Sequence, residues 1–161
     1  MFNIVLFEPE ISPNTGNIIR LCANTGTKLH LIHPLGFKIN AKELRRAGLD
    51  YIDWSIVYHY NNYEDYIEKN GFKSLYAIST KGKKNYTDCN FSKNDSFIFG
   101  PETRGLPQDI LSKFKKETIL KIPMLKNSRS LNLSNATSII IYEAWRQINF
   151  KRNNIKDNKL L

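Results

Sequence analysis

SRSLNLSNA, residues 128–136, lies between the apolar run Ile119-Leu120-Lys121-Ile122-Pro123 and a long stretch of helical periodicity. Its nine residues carry three serines and two asparagines, with two leucines set among them. Serine and asparagine side chains offer nearby backbone groups local hydrogen-bond partners, and Ser134 or Asn135 suits the cap of the helix that follows. From its residues alone the stretch is a capped loop leading from a strand into a helix. The kind of sheet that the strand joins follows from the chain around it.

Outward from that loop, strand and helix patterns alternate. Short apolar runs predict six strands over 3–7, 29–32, 54–58, 75–79, 96–99 and 118–122. Helical patterns fall between them over 14–24, 41–47, 63–69, 107–114 and 133–150, with Asn70-Gly71 closing the third and Pro107 in the favoured first position of the fourth. The alternation predicts an α/β fold: a mostly parallel six-stranded sheet with helices on both faces. One domain is expected over residues 1–150, with the polar and charged residues 151–161 as a flexible tail.

No apolar run approaches the roughly 18 residues of a membrane-spanning helix. The first residues, MFNIVLFEPE, lack the basic stretch of a secretory signal. Cys22 and Cys89 have no metal-type spacing, so reduced thiols and a cytoplasmic address are expected. The net charge of +9 points to a polyanionic partner, and basic residues cluster at Lys42, Arg45 and Arg46 and again at Lys81, Lys83 and Lys84. An overall richness in Lys, Asn and Ile accounts for that charge equally well. His30, His33 and His59 also lack metal-type spacing and read as structural, as do Tyr58, Tyr60, Tyr63 and Tyr66.

Ligands of open α/β sheets bind beyond the carboxyl ends of the strands. Three such ends stand out: ISTKGKKNYTDCNFSKN (78–94), FGPETRGLP (99–107) and IPMLKNSRSLNLSNA (122–136). Glycine and proline mark any turn, but three such loops at one sheet edge point to a common ligand. It is not a dinucleotide: PNTGN follows the first strand where G-x-G-x-x-G is needed, and the second strand ends Ile32-His33-Pro34 without an acidic residue. In the first helix Asn17, Arg20 and Asn24 share the face opposite Ile18, Leu21 and Cys22, while Asn14 and Thr15 stand where caps belong. An arginine flanked by asparagines near a helix N-terminus can grip phosphate or ribose; a solvated helix face is the plainer reading.

Together these stretches resemble the SPOUT methyltransferases, a class of knotted RNA-methylating enzymes. PNTGNIIR (13–20) is similar to the first motif of the ribose 2'-O-methylating branch, FGPETRGLP to the second and the 122–136 stretch to the third. RRAGLDY (45–51) and YEAWRQ (142–147) extend the likeness to the small tRNA (cytidine/uridine) 2'-O-methyltransferases of the anticodon wobble position. The resemblance implies a deep C-terminal trefoil knot. A threaded third motif would be packed by protein on several sides, its serines and asparagines serving backbone groups cut off from water and Leu131 and Leu133 anchoring it.

The resemblance also implies S-adenosyl-L-methionine as cofactor, with S-adenosyl-L-homocysteine as product. Its implied contacts are Ile78, Ser79, Thr80, Gly100, Pro101, Glu102, Gly105, Ile122, Pro123, Met124, Ser130 and Leu131, and the reaction centre is implied at Arg20, Asn14, Ser128 and Asn132. The implied partner is a tRNA anticodon arm, with no metal and no membrane. The last helix is apolar over a wide arc, including Ala136, Ile140, Ile141, Ala144, Trp145 and Ile148, as a homodimer requires; a fully buried core helix is the other reading. Two alternatives share the scaffold: an rRNA 2'-O-methyltransferase, whose relatives usually carry an extra N-terminal domain not seen in this sequence, and a non-catalytic RNA-binding protein.

Overall fold

A computed structural model describes residues 1–38 and 56–151. The predicted basic helix 41–47, the Lys42, Arg45 and Arg46 cluster, the RRAGLDY stretch and residues 152–161 lie outside them. Strands β1 (Asn3–Phe7), β2 (Lys28–Ile32), β3 (Val57–Tyr60), β4 (Leu75–Ile78), β5 (Lys84–Asn85), β6 (Ser96–Phe99) and β7 (Ile119–Lys121) form one sheet in the order β3-β2-β1-β6-β4-β7-β5. Every pairing among them is parallel. The described sheet has seven strands, not six. The added strand, β5, is two polar residues held by pairing with Leu120 and Lys121 rather than by an apolar face of its own.

Alternation along the central strands divides the core. Ile4, Leu6, Leu29, Leu31, Phe97 and Phe99 bury against Ile18, Cys22, Ile140 and Ala144, so helices α1 (Ser12–Thr25) and α4 (Leu133–Gln147) cover one face. Val5, Phe7, Ile98 and Ala77 bury against Tyr63, Tyr66, Ile110 and Leu111, placing α2 (Tyr63–Asn70) and the single turn α3 (Gln108–Leu111) on the other. Both faces of the parallel sheet are thereby covered, and the central strands are accordingly buried along nearly their whole length.

Helix ends depart from expectation. α1 begins at Ser12 with Ile11 as its cap residue, so Asn14 and Thr15 are buried in its first turn instead of capping it. It stops at Gly26, whose φ of 67° lets its N–H return to the Cys22 carbonyl. α3 is one turn long, with Pro107 preceding it as the cap, where a helix through residue 114 was expected. α4 ends at Gln147 rather than 150, because Asn149 and Phe150 turn into left-handed backbone at φ of 55° and 54°.

β7 lies between β4 and β5, both of which precede it in sequence. The link 79–83 therefore crosses β7: Ser79 N donates to the Leu120 carbonyl at 2.9 Å. Gly82 rests on the strand so closely that a Cβ there would lie 2.7 Å from the Leu120 carbonyl carbon. Only a residue without a side chain fits that crossing.

Candidate active site

The carboxyl ends of β4, β6 and β7 open onto one cavity of about 420 Å³. Ile78, Ser79 and Thr80 reach it from β4, and Gly100, Pro101, Glu102 and Gly105 from the loop after β6. Ile122, Met124, Ser130, Leu131 and Asn132 reach it from the segment after β7, and Asn14 from α1. The three loops singled out in the sequence thus share one space. Pro123, Ser128 and Arg20 are not among the lining residues. Arg20 is exposed on α1, on the face it shares with Asn17 and Asn24.

One chain of hydrogen bonds ties the three motifs together. Glu102 accepts from the backbone N–H of Glu10 at 2.8 Å and of Ile11 at 3.2 Å, and from Asn14 Nδ2 at 3.0 Å. Asn14 Oδ1 accepts from Asn132 Nδ2 at 2.9 Å. Asn132 Oδ1 accepts from the N–H of Ser134 at 2.9 Å and from its hydroxyl at 2.7 Å, so Asn132, not Ser134 or Asn135, caps α4. Each amide in the chain donates through nitrogen and accepts through oxygen, which fixes both orientations. The Glu102 carboxylate stands at the start of α1, where the helix dipole favours a negative charge. It is thus a fastener as much as a cavity wall.

The loop after β6 doubles back tightly. Gly105, at φ of 67°, donates its N–H to the Pro101 carbonyl at 2.9 Å. A Cβ on Gly100 would stand 2.1 Å from Leu106 N, so glycine is required at that position. The loop's tip is joined to the exit of β1: Glu10 accepts from the Thr103 hydroxyl at 2.6 Å and from its N–H at 3.2 Å. Arg104 pairs with Glu8 through Nη2 and approaches Glu10 through Nε at 3.5 Å. The Thr103 hydroxyl, with Arg104 beside it, holds the Glu10 carboxyl below its usual range.

The third motif differs from expectation. Residues 124–132 are exposed throughout, Leu125 at 86% and Leu131 at 40%, so the segment is not packed by protein on several sides. Leu133 alone of the two expected anchors is buried. Sequence reasoning also passed over Lys81, Thr103 and Arg104, which line the cavity. Lys81 stood in the basic cluster with Lys83 and Lys84, and the signal for Thr103 and Arg104 was present in the polar tip of FGPETRG, but nothing local named Glu8 and Glu10 as partners of that tip.

Of the three histidines only His30 lies in the core. His30 is buried, stacks on Tyr58 and bonds Tyr60 Oη at 2.8 Å, and burial lowers its pKa to about 4. His33 and His59 share a 2.9 Å hydrogen bond. Among the described residues no three His, Cys, Asp or Glu side chains gather as a metal site would need, and no described helix is long and apolar enough to cross a membrane.

Residues 1–142 match the profile of the SpoU rRNA Methylase family. A tRNA (cytidine(34)-2'-O)-methyltransferase of Saccharophagus degradans is 57% identical over 150 residues, covering 93% of this chain and 97% of that protein. A solved structure concerned with 2-OH methylation of C/U34 on tRNA superposes with a TM-score of 0.84 at 38% identity, covering 94% of this chain and 98% of that one. The SpoU methyltransferase AviRb of Streptomyces viridochromogenes, solved with the cofactor AdoMet, shares the fold at a TM-score of 0.79 and 22% identity, covering 93% of this chain and 58% of its own.

Proposed function

The chain belongs to the SpoU rRNA Methylase family, and from that premise we propose that it is a tRNA (cytidine/uridine) 2'-O-ribose methyltransferase acting at the anticodon wobble nucleotide with S-adenosylmethionine as donor. The observation that carries the reading is the Glu102–Asn14–Asn132 chain, which closes three separate motif loops on one cavity. The relative named for position 34 matches over nearly its whole length, which favours tRNA over rRNA as substrate.

The cavity suits such a donor. Its volume falls in the roughly 300–1,000 Å³ range of small-molecule sites. Its walls offer backbone groups around Ile78, Gly100, Ile122 and Leu131, with apolar Ile78, Met124 and Leu131 side chains beside them. S-adenosylmethionine supplies a methyl group already activated on a sulfonium. The chain's own task is alignment and water exclusion, since a pre-activated donor leaves mostly orientation to the protein. Gly105, whose absent Cβ would meet nothing within 4 Å, permits close approach.

Arg20 offers N–H donors and a positive charge but no acceptor, so orientation and charge stabilisation suit it better than removing a proton. Exposed and outside the cavity lining, it addresses RNA: it orients phosphate and stabilises the alkoxide developing on the ribose oxygen, whose proton passes to a neighbouring phosphate or serine. Ser128, also exposed, belongs to that RNA side. A homodimer is part of the same reading, supported by Tyr142 at 47% exposure next to Trp145 on α4. So is a deep trefoil knot, supported by the crossing of the 79–83 link over β7.

Transfer of labelled methyl from S-adenosylmethionine to tRNA, with mass spectrometry of nucleotide 34, tests the function. Label on rRNA alone redirects the enzyme, and label on neither leaves a binding protein. Arg20→Ala is expected to abolish turnover while cofactor affinity by calorimetry stays within about threefold, as for an interaction made only in the transition state. An equal loss of cofactor binding contradicts that role.

A further inference from the structure

We infer that Glu8, Glu10 and Arg104 form a positioning clasp that sets how tightly the methyl donor is held, without touching the reacting atoms. The inference rests on the proposed donor site. The loop 100–106 is one wall of that cavity. Its root is fixed by packing: Gly100 lies against Leu106, and Leu106 is buried. Its tip, Thr103 and Arg104, is exposed.

What holds the tip is polar. Glu10 takes the Thr103 hydroxyl and N–H, and one guanidinium meets Glu8 and Glu10 together. A single exposed ion pair contributes little, but a network presented from a fixed backbone contributes more. The backbone here is fixed. Glu10 N is held by Glu102, and Gly36 N donates to the Pro9 carbonyl at 2.9 Å. Gly36 lies so close that a Cβ on it would come 2.8 Å from Glu10 Cα.

Bridging two carboxylates through Nε and Nη2 needs the planar fork of arginine, which lysine lacks. A wall held in its binding shape before the ligand arrives spares the ordering cost on association. Loss of the clasp should therefore raise the donor KM and leave kcat less affected.

The test compares the wild type with Arg104→Ala, Arg104→Lys, the Glu8→Gln/Glu10→Gln double variant and the triple variant combining that double with Arg104→Ala. S-adenosylmethionine affinity is read by calorimetry, and amide hydrogen exchange of residues 101–105 is read without ligand. Preorganisation of this size predicts about fivefold weaker donor binding in Arg104→Ala and in the double variant, no further loss in the triple, and faster exchange in all three. Arg104→Lys should recover at most part of the affinity. Unchanged affinity and exchange in Arg104→Ala overturn the clasp. Further loss in the triple also overturns it, because Arg104 would then touch the donor itself. A wild type that does not bind S-adenosylmethionine overturns the proposed function, and exchange in the variants still decides whether the clasp exists.

Discussion

The loop after β6 and the segment after β7 wall the same cavity but are built differently. The first is fastened at root and tip: Gly100 packs on backbone, Glu102 holds two N–H groups and an amide, and Arg104 pairs with two carboxylates. The second is exposed from 124 to 132 and is tied chiefly at its end, where Asn132 caps α4 and donates to Asn14. Within it, Ser128 returns its N–H and hydroxyl to the Leu125 carbonyl, closing a local turn. Rigidity before binding therefore resides on one side. Apolar Met124 and Leu131 on the other side face solvent until something covers them, and covering them contributes the stabilisation of buried apolar surface.

The largest effect expected is from Gly100→Ala on the fixed wall. Its Cβ would meet Leu106 N at 2.1 Å and the Gly105 carbonyl carbon at 2.2 Å, backbone atoms that no rotamer can move aside. Overpacking of this kind costs about 3 kcal/mol or more, read as a lower midpoint in urea. Donor binding should be lost with it. Unchanged donor affinity would break the contrast, because the wall would then not need its shape.

A smaller loss is expected at the joint between the walls. Asn132→Ala removes the α4 cap, which typically costs about 1–2 kcal/mol, and leaves the buried Asn14 oxygen without its donor. Asn132→Asp keeps an oxygen for Ser134 but brings no N–H for Asn14, so it should recover the cap and not the joint. Urea unfolding separates the two variants; equal destabilisation by both would mean that Asn14, not the cap, carries the effect.

The central strands and the shared ligand edge were legible because their signals are local. Asn3–Phe7 and Ser96–Phe99 are short apolar runs buried almost end to end, and the sequence bounds for both match the structure. β5 was not legible: Lys84-Asn85 carries no apolar signal and is a strand only because β7 passes beside it. The start of α1 was missed for a similar reason, since the carboxylate that receives the N–H groups of Glu10 and Ile11 is Glu102, about 90 residues away in sequence. At the site, glycines and the polar third motif announced themselves by composition. The partners that fix them, Glu8 and Glu10 among them, are set by tertiary pairing, which periodicity does not encode.

Leu131→Ala sharpens the comparison with the smallest change in stability. Leu131 lines the cavity yet stays 40% exposed, so it contributes little to the folded chain without ligand. Truncation should alter unfolding free energy by no more than about 0.5 kcal/mol, as for exposed substitutions. If the donor covers that side chain, its loss removes apolar contact made only in the complex, and affinity should fall by about three- to tenfold. Calorimetry paired with urea unfolding reads both quantities on one sample. Destabilisation without weaker binding would place Leu131 on the packed side of the structure, and the contrast between a fixed wall and one completed by its ligand would fail there.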